Sequence, residues 1–207
     1  MEVTIIGTGN TARGIGSRVV AGGHDLTIVG KHSERAEAVA ADIGGAGTVR
    51  TAVTGDPIPG EVVVLAVYCR DARAAVEQYP DQLAGKVVVD ITNPANRTFD
   101  APVVPPDASA AAELVALAGG ARFVKSFNTT FPSPLGTGEV AGHKLDVLIA
   151  GDDAGAKGKV DPLTRGGALK PIDTGWCTRE SSMPRVTAHS RTRFERASEA
   201  PSTSSRD

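Results

Sequence analysis

The chain has 207 residues, of which 41% are hydrophobic and 22% charged, so one ordinary domain can bury a core and global disorder is excluded. A formal net charge of -2 gives no general pull toward nucleic acid, and 4% aromatics is too few for a base-stacking platform.

A short β-branched run, Val3-Thr4-Ile5-Ile6, reads as the first strand, and Ala12, Ile15, Val19 and Val20 then recur at helical spacing. Leu26 to Val29 reads as a second strand, followed by the stripe Ala36, Val39, Ala40 and Ile43. Val62 to Val67 is next, with a helix carrying Ala72, Ala75, Val76 and Tyr79 behind it. Val87 to Ile91 leads into Pro94 to Pro106, where four prolines predict an ordered loop over one end of the sheet. Ala111, Leu114, Val115 and Ala118 form another helical stripe, and Phe123-Val124 and Val147-Leu148-Ile149 are further strands. These runs do not alternate with polar residues, as expected of strands buried on both faces. Strand and helix taking turns predict an α/β fold, a doubly wound and mainly parallel sheet.

Two segments depart from this rhythm. Asp152 to Gly167 occupies a helix slot but contains Gly158 and Pro162. Interior proline costs about 3 kcal/mol and interior glycine about 1 kcal/mol relative to alanine, so that helix is expected to be short, kinked at Pro162 or restarted there. From Trp176 to Asp207 there is no Ile or Leu, but there are seven Ser, four Thr and six Arg. A tail with so little to bury is expected to be irregular or disordered, and residues 1–175 to form the domain. The composition switches abruptly enough to suggest a change of reading frame in the encoding gene.

The first strand runs into Gly7-Thr8-Gly9-Asn10-Thr11-Ala12, which fits the G-x-G-x-x-G/A form of a dinucleotide-binding turn. Gly7 permits the tight strand-to-helix turn, and Gly9 lacks a Cβ that would collide with a pyrophosphate. Ala12 lets the helix pack closely on the strand, while free N–H groups at the helix start present partial positive charge to the anion. At the tip of the second strand, an NAD-specific site places Asp or Glu to accept from the ribose 2′-hydroxyl. This chain has Gly30-Lys31-His32-Ser33-Glu34-Arg35 there, with no acid at the tip. Lys31, Ser33 and Arg35, with His32 stacking or donating, would suit a 2′-phosphate and therefore NADP. Ser33 could equally cap the next helix, leaving Lys31 and Arg35 as solvated charges.

Three runs, Gly7-Thr8-Gly9-Asn10, Gly22-Gly23-His24-Asp25 and Asp90-Ile91-Thr92-Asn93-Pro94, resemble the coenzyme F-420-dependent NADP oxidoreductases. Ser126-Phe127-Asn128-Thr129 and Gly151-Asp152-Asp153 extend the resemblance to about Gly175. It implies a Rossmann-like domain, in an enzyme usually dimeric, that moves hydride between NADPH and a 5-deazaflavin coenzyme, F-420, its second substrate. Such chemistry needs two apposed rings with water kept out, not a nucleophile or strong base. No catalytic side chain is assigned. No metal-ligand cluster is found either, His24, His32, His143 and His189 being scattered.

Ligands of an open α/β sheet lie outside the carboxyl ends of its strands. Ala66-Val67-Tyr68 would border the ribose and pyrophosphate, whereas Asn93-Pro94 and Asn128-Thr129 would border the nicotinamide. The asparagines could orient a carboxamide or simply make turns and caps. Tyr68 could stack on a ring, though a core aromatic is the simpler reading. Cys69 has only Arg70 beside it, too little to activate a thiol. Related enzymes close with Leu- and Ala-rich helices that build the dimer and the deazaflavin pocket; this tail lacks that pattern. A nucleotide-holding protein without turnover therefore stands beside the enzyme reading, as does an NADP-dependent reductase of another small acceptor. The expected partners are small-molecule coenzymes. With two cysteines, no signal-like leader and a longest apolar stretch, Val62 to Cys69, too short for a bilayer, a cytoplasmic location away from the membrane is expected.

Overall fold

The computed structural model describes residues 1–95 and 110–175. In chain order it contains β1 (Glu2–Ile6), α1 (Asn10–Ala21), β2 (Asp25–Gly30), α2 (Ser33–Ala41), β3 (Val49–Val53) and β4 (Val62–Leu65). Next come α3 (Cys69–Glu77), α4 (Pro80–Leu83), β5 (Val87–Asp90), α5 (Ala110–Leu117), β6 (Arg122–Ser126) and α6 (Pro132–Thr137). The pair β7 (Glu139–Val140) and β8 (His143–Lys144) precedes β9 (Asp146–Ala150), α7 (Ala154–Gly166) and β10 (Lys170–Gly175).

One sheet of eight strands has the order β10-β9-β6-β5-β4-β1-β2-β3. From β3 to β6 every pairing is parallel, with β1 between β2 and β4. This is a Rossmann-like, doubly wound arrangement. Strand order reverses at the β1/β4 boundary, so a crevice opens above the carboxyl ends of those two strands. β9 pairs antiparallel with β6 through Lys125↔Ala150 and Ser126↔Ile149, and β10 lies parallel to β9.

Side chains on adjacent strand positions go to opposite faces. Val3, Ile5, Ile28, Val64 and Val89 pack with Ile15 and Val19 of α1, Val39 of α2 and Val160 of α7. Ile6, Val29, Val63, Leu65 and Val88 pack on the other face with Ala72 and Val76 of α3 and Leu114 of α5. Two layers of helices thus cover a sheet whose central strands are buried throughout, which is why those strands read as unbroken apolar runs.

Four strands lie outside the runs read from sequence: the short pair β7 and β8, and two strands of the main sheet. β3 and β10 are sheet edges, half exposed, so their sequences VRTAV and KPIDTG show no apolar run. Pro171 is tolerated on such an edge strand. The helix over residues 154–166 is neither short nor restarted: α7 is one helix of 13 residues with Pro162 inside it. Proline removes the N–H that would bond the carbonyl of Gly158. Burial of Ala156, Val160 and Leu163 holds the helix together across the gap, and the Thr164 hydroxyl donates to the Val160 carbonyl at 2.9 Å. The loop expected over Pro94 to Pro106 falls mostly, and the tail from Trp176 wholly, outside the described residues.

Candidate functional site

The turn after β1 contains two glycines with different reasons to be glycine. Gly7 has φ +131°, and a Cβ there would sit 2.1 Å from the Ala66 carbonyl oxygen. Its amide donates to the Val29 carbonyl at 2.9 Å, tying the turn to β2. The fold itself excludes a side chain at Gly7. Gly9, by contrast, caps the start of α1 at φ -83°, a value any residue adopts, and a Cβ there would meet nothing within 4 Å. Nothing among the described residues requires that glycine.

Asn10 and Thr11 open α1 beside this space, and their amides, with that of Ala12, lack intrahelical acceptors. No side chain caps the helix, and its first turn holds no acid. A helix start left in this state is a ready anion site. Ala12 is fully buried, as the motif requires. Gly14 and Gly16 serve packing: Cβ atoms there would come within 2.7 Å of Leu135 on α6 and of Ile43 respectively.

Gly30 closes the distance between this turn and the tip of β2, since a Cβ on it would lie 2.9 Å from the Thr8 side chain. Thr8 is half-buried. Lys31, His32, Ser33 and Arg35 follow as an exposed run. Neither Lys31 nor Arg35 has an ion-pair partner among the described residues. The alternative role for Ser33, capping α2, is not observed. His32 is the N-cap of α2, without a side-chain bond, because Ser33 is already in helical geometry.

Ala66 and Val67, both half-buried, line the other side of the turn above β4. Tyr68 is not a core residue: its side chain is 61% exposed and the Arg70 guanidinium lies 4.7 Å from its ring centre. It is the N-cap of α3, which turns the ring out of the sheet. Burial pushes the neighbouring Cys69 thiol up, away from thiolate.

Asn93 and Asn128 do more than terminate strands. The Asn93 amide nitrogen donates to the Asn128 backbone carbonyl at 2.7 Å, and the Asn128 amide nitrogen donates to the Asn93 side-chain oxygen at 3.2 Å. The two side chains therefore link the ends of β5 and β6, and neither caps α6, whose N-cap is Phe131. Pro94 and Thr129, half-buried, flank this pair. Phe127, just before Asn128, is buried and held at φ +59°, the left-handed region that side chains ordinarily avoid.

Two features escaped the sequence reading. Asp90 and Lys125 form a buried ion pair at 2.7 Å beneath the asparagines. At the amino end of β6, Arg122 grips Asp153 through two bonds of 2.5 and 2.8 Å, and Asp153 also caps α7 by accepting the Ala156 amide. Together these donors hold the Asp153 carboxyl well below the usual carboxylate range. A lysine inside the strand sequence RFVKS was the available clue to the first; its partner lies 35 residues away and gives none.

Strand order, the glycine-walled turn and the bare helix start define an α/β protein of the dinucleotide-binding kind. Residues 2–94 match the family described as NADP oxidoreductase, coenzyme F420-dependent. A structure from Arthrobacter sp. FB24, solved as a candidate F420-dependent NADP-reductase, is similar at 26% identity and a TM-score of 0.71, with 84% of each chain covered. A hypothetical protein from Sinorhizobium meliloti superposes with a TM-score of 0.76 at 24% identity over 85% of each chain, which shows the shared fold. Metalloreductase STEAP3 of Rattus norvegicus is 29% identical over 174 residues, 84% of this chain. The chain spans about a third of that relative's length, 34%. Among the described residues, no helix is long and apolar enough to cross a membrane, and no group of three or more His, Cys, Asp or Glu could hold a metal ion.

Proposed function

We propose that this protein binds NADPH across the β1/β4 crevice and exchanges hydride between it and the deazaflavin coenzyme F-420. The observation that carries the nucleotide half is Gly9, a glycine with open space where its Cβ would be and no conformational need to be glycine. The amides of Asn10, Thr11 and Ala12 would receive the pyrophosphate, with Gly7, Thr8 and Ala66 forming the wall behind it. Lys31 and Arg35, without an ion-pair partner among the described residues, would hold the 2′-phosphate, with His32 and Ser33 beside them. Val67 and Tyr68 would border the ribose, and the Asn93–Asn128 pair, with Pro94 and Thr129, the nicotinamide end. When bound, NADPH supplies the hydride from its nicotinamide ring. The chain's own residues orient and desolvate; among those described, none is asked to move a proton.

The acceptor rests on the family description and on the solved relative of that name. A titration of the purified protein with NADPH, followed by addition of F-420, tests both halves. The expected result is saturable NADPH binding and then bleaching of the deazaflavin absorption. Binding without bleaching would instead favour a nucleotide-holding protein. That second reading is supported by the tail, which lacks the Ile and Leu of a closing helix.

Nucleotide choice has its own test. Lys31→Asp removes a phosphate partner and adds repulsion, so it should weaken NADPH binding by about tenfold or more and leave NADH nearly unchanged. Equal losses for both would reduce Lys31 to a solvated surface charge.

A further inference from the structure

We infer that the buried Asp90–Lys125 pair is a positioning device for the nicotinamide end of the crevice. This rests on the nucleotide placement proposed above. Asp90 is the last residue of β5, and its neighbour in register on β6 is Lys125. Their side chains are only 2% and 5% exposed. Both point to the sheet face that carries Val88, Phe123 and Leu114, and they close that apolar layer at its carboxyl edge. Two ions in such surroundings are a poor means of stabilising a sheet, because apolar residues of similar volume serve as well or better. What the pair does supply is a fixed geometry.

That geometry converges on one residue. Asp90 accepts from Lys125 through one carboxylate oxygen at 2.7 Å and from the Thr92 amide through the other at 2.8 Å. The Lys125 ammonium also donates to the Thr92 carbonyl. Thr92 is itself buried, so both its amide and its carbonyl are held by charges shielded from water. The next residue is Asn93, whose side chain makes the two bonds to Asn128 described above. Two successive rungs therefore tie the ends of β5 and β6: a charged one below, and an amide one facing the crevice. Without the lower rung, Thr92 loses its grip on β6 and Asn93 can no longer present its amide at a fixed place. Charge-assisted bonds at low dielectric are the stiff kind, which suits a group that must hold a ring within a fraction of an ångström.

The test compares two ligands on the full chain. NADPH reaches both ends of the crevice, whereas adenosine 2′,5′-bisphosphate reaches only the Lys31 end. Lys125→Met/Asp90→Leu removes both charges together, so no orphan ion is left to unfold the sheet. It should weaken NADPH by about tenfold and change the bisphosphate by less than about twofold. Asn93→Ala, an exposed change that leaves the ion pair intact, should give the same split, and combining it with the double change should add little further loss. NADPH affinity that stays within about twofold in the double variant, or equal losses for both ligands, would overturn the inference. If the double variant does not fold, the Asn93→Ala split together with its recovery in Asn93→Gln decides the matter, and absence of a split overturns it. A wild-type chain that binds neither ligand removes the nucleotide reading itself. One that binds both while the variants match it removes only the positioning role.

Discussion

Gly7 and Gly9 look alike in the sequence motif, yet the structure gives them opposite dependences. Gly7→Ala places a Cβ 2.1 Å from a carbonyl oxygen at a φ of +131°, so it should lower the melting temperature sharply, whatever is bound. Gly9→Val should leave that temperature within a degree or two of wild type and abolish NADPH binding. Thermal melts with and without NADPH read both outcomes at once. The turn was legible in sequence because its requirements are local, six consecutive residues each with a backbone reason. The core reading of Tyr68 failed for the complementary reason: a lone aromatic carries no mark of which side of a helix start it will take. The Asp90–Lys125 pair was invisible because burial of a lysine depends on a carboxylate brought alongside by sheet register.

Among the elements, helix propensity and packing can be set against each other within one molecule. Gly158 in α7 is exposed and has no atom within 4 Å of its missing Cβ. Gly158→Ala should therefore raise stability by roughly 0.5–1 kcal/mol. Gly14 in α1 faces Leu135 at 2.7 Å and the Pro132 carbonyl at 3.1 Å, so Gly14→Ala should be destabilising despite the same gain in propensity. Chemical denaturation of the two variants gives the comparison directly. The start of α7 carries a pH dependence. Arg122 and the Ala156 amide depress the Asp153 carboxyl from its ordinary 3.8, so the folded state favours the carboxylate. Its contribution is complete above the ordinary value and is lost as pH falls through it toward the depressed one. Asp153→Asn should thus flatten the acid decline of the melting temperature, and part of the slope should remain from Asp173, whose carboxyl is held low by Lys157. The central strands were legible as elements because burial on both faces leaves continuous Val and Ile. β3 and β10 were not, since an edge strand satisfies half of its surface with water and needs no apolar run.

At the scale of the whole molecule, the doubly wound order follows from alternation in the sequence, but the antiparallel entry of β9 does not, because direction depends on where the chain turns back. Hydrogen exchange should grade outward from the centre. The amides of β1, β4 and β5, flanked on both sides and covered on both faces, should exchange slowest, and those of β3 and β10 fastest. Uniform rates across the sheet would contradict the layered burial described here. The β6–β9 boundary has a mechanical consequence. It is held by two facing residue pairs and a Ser126 hydroxyl bond to the Leu148 carbonyl, against four or five pairs at each parallel junction from β3 to β6. Tension applied at residue 175 against an anchored residue 1 would unzip the last two strands at this seam first, leaving the six-stranded cradle and the turn after β1 under load but still folded.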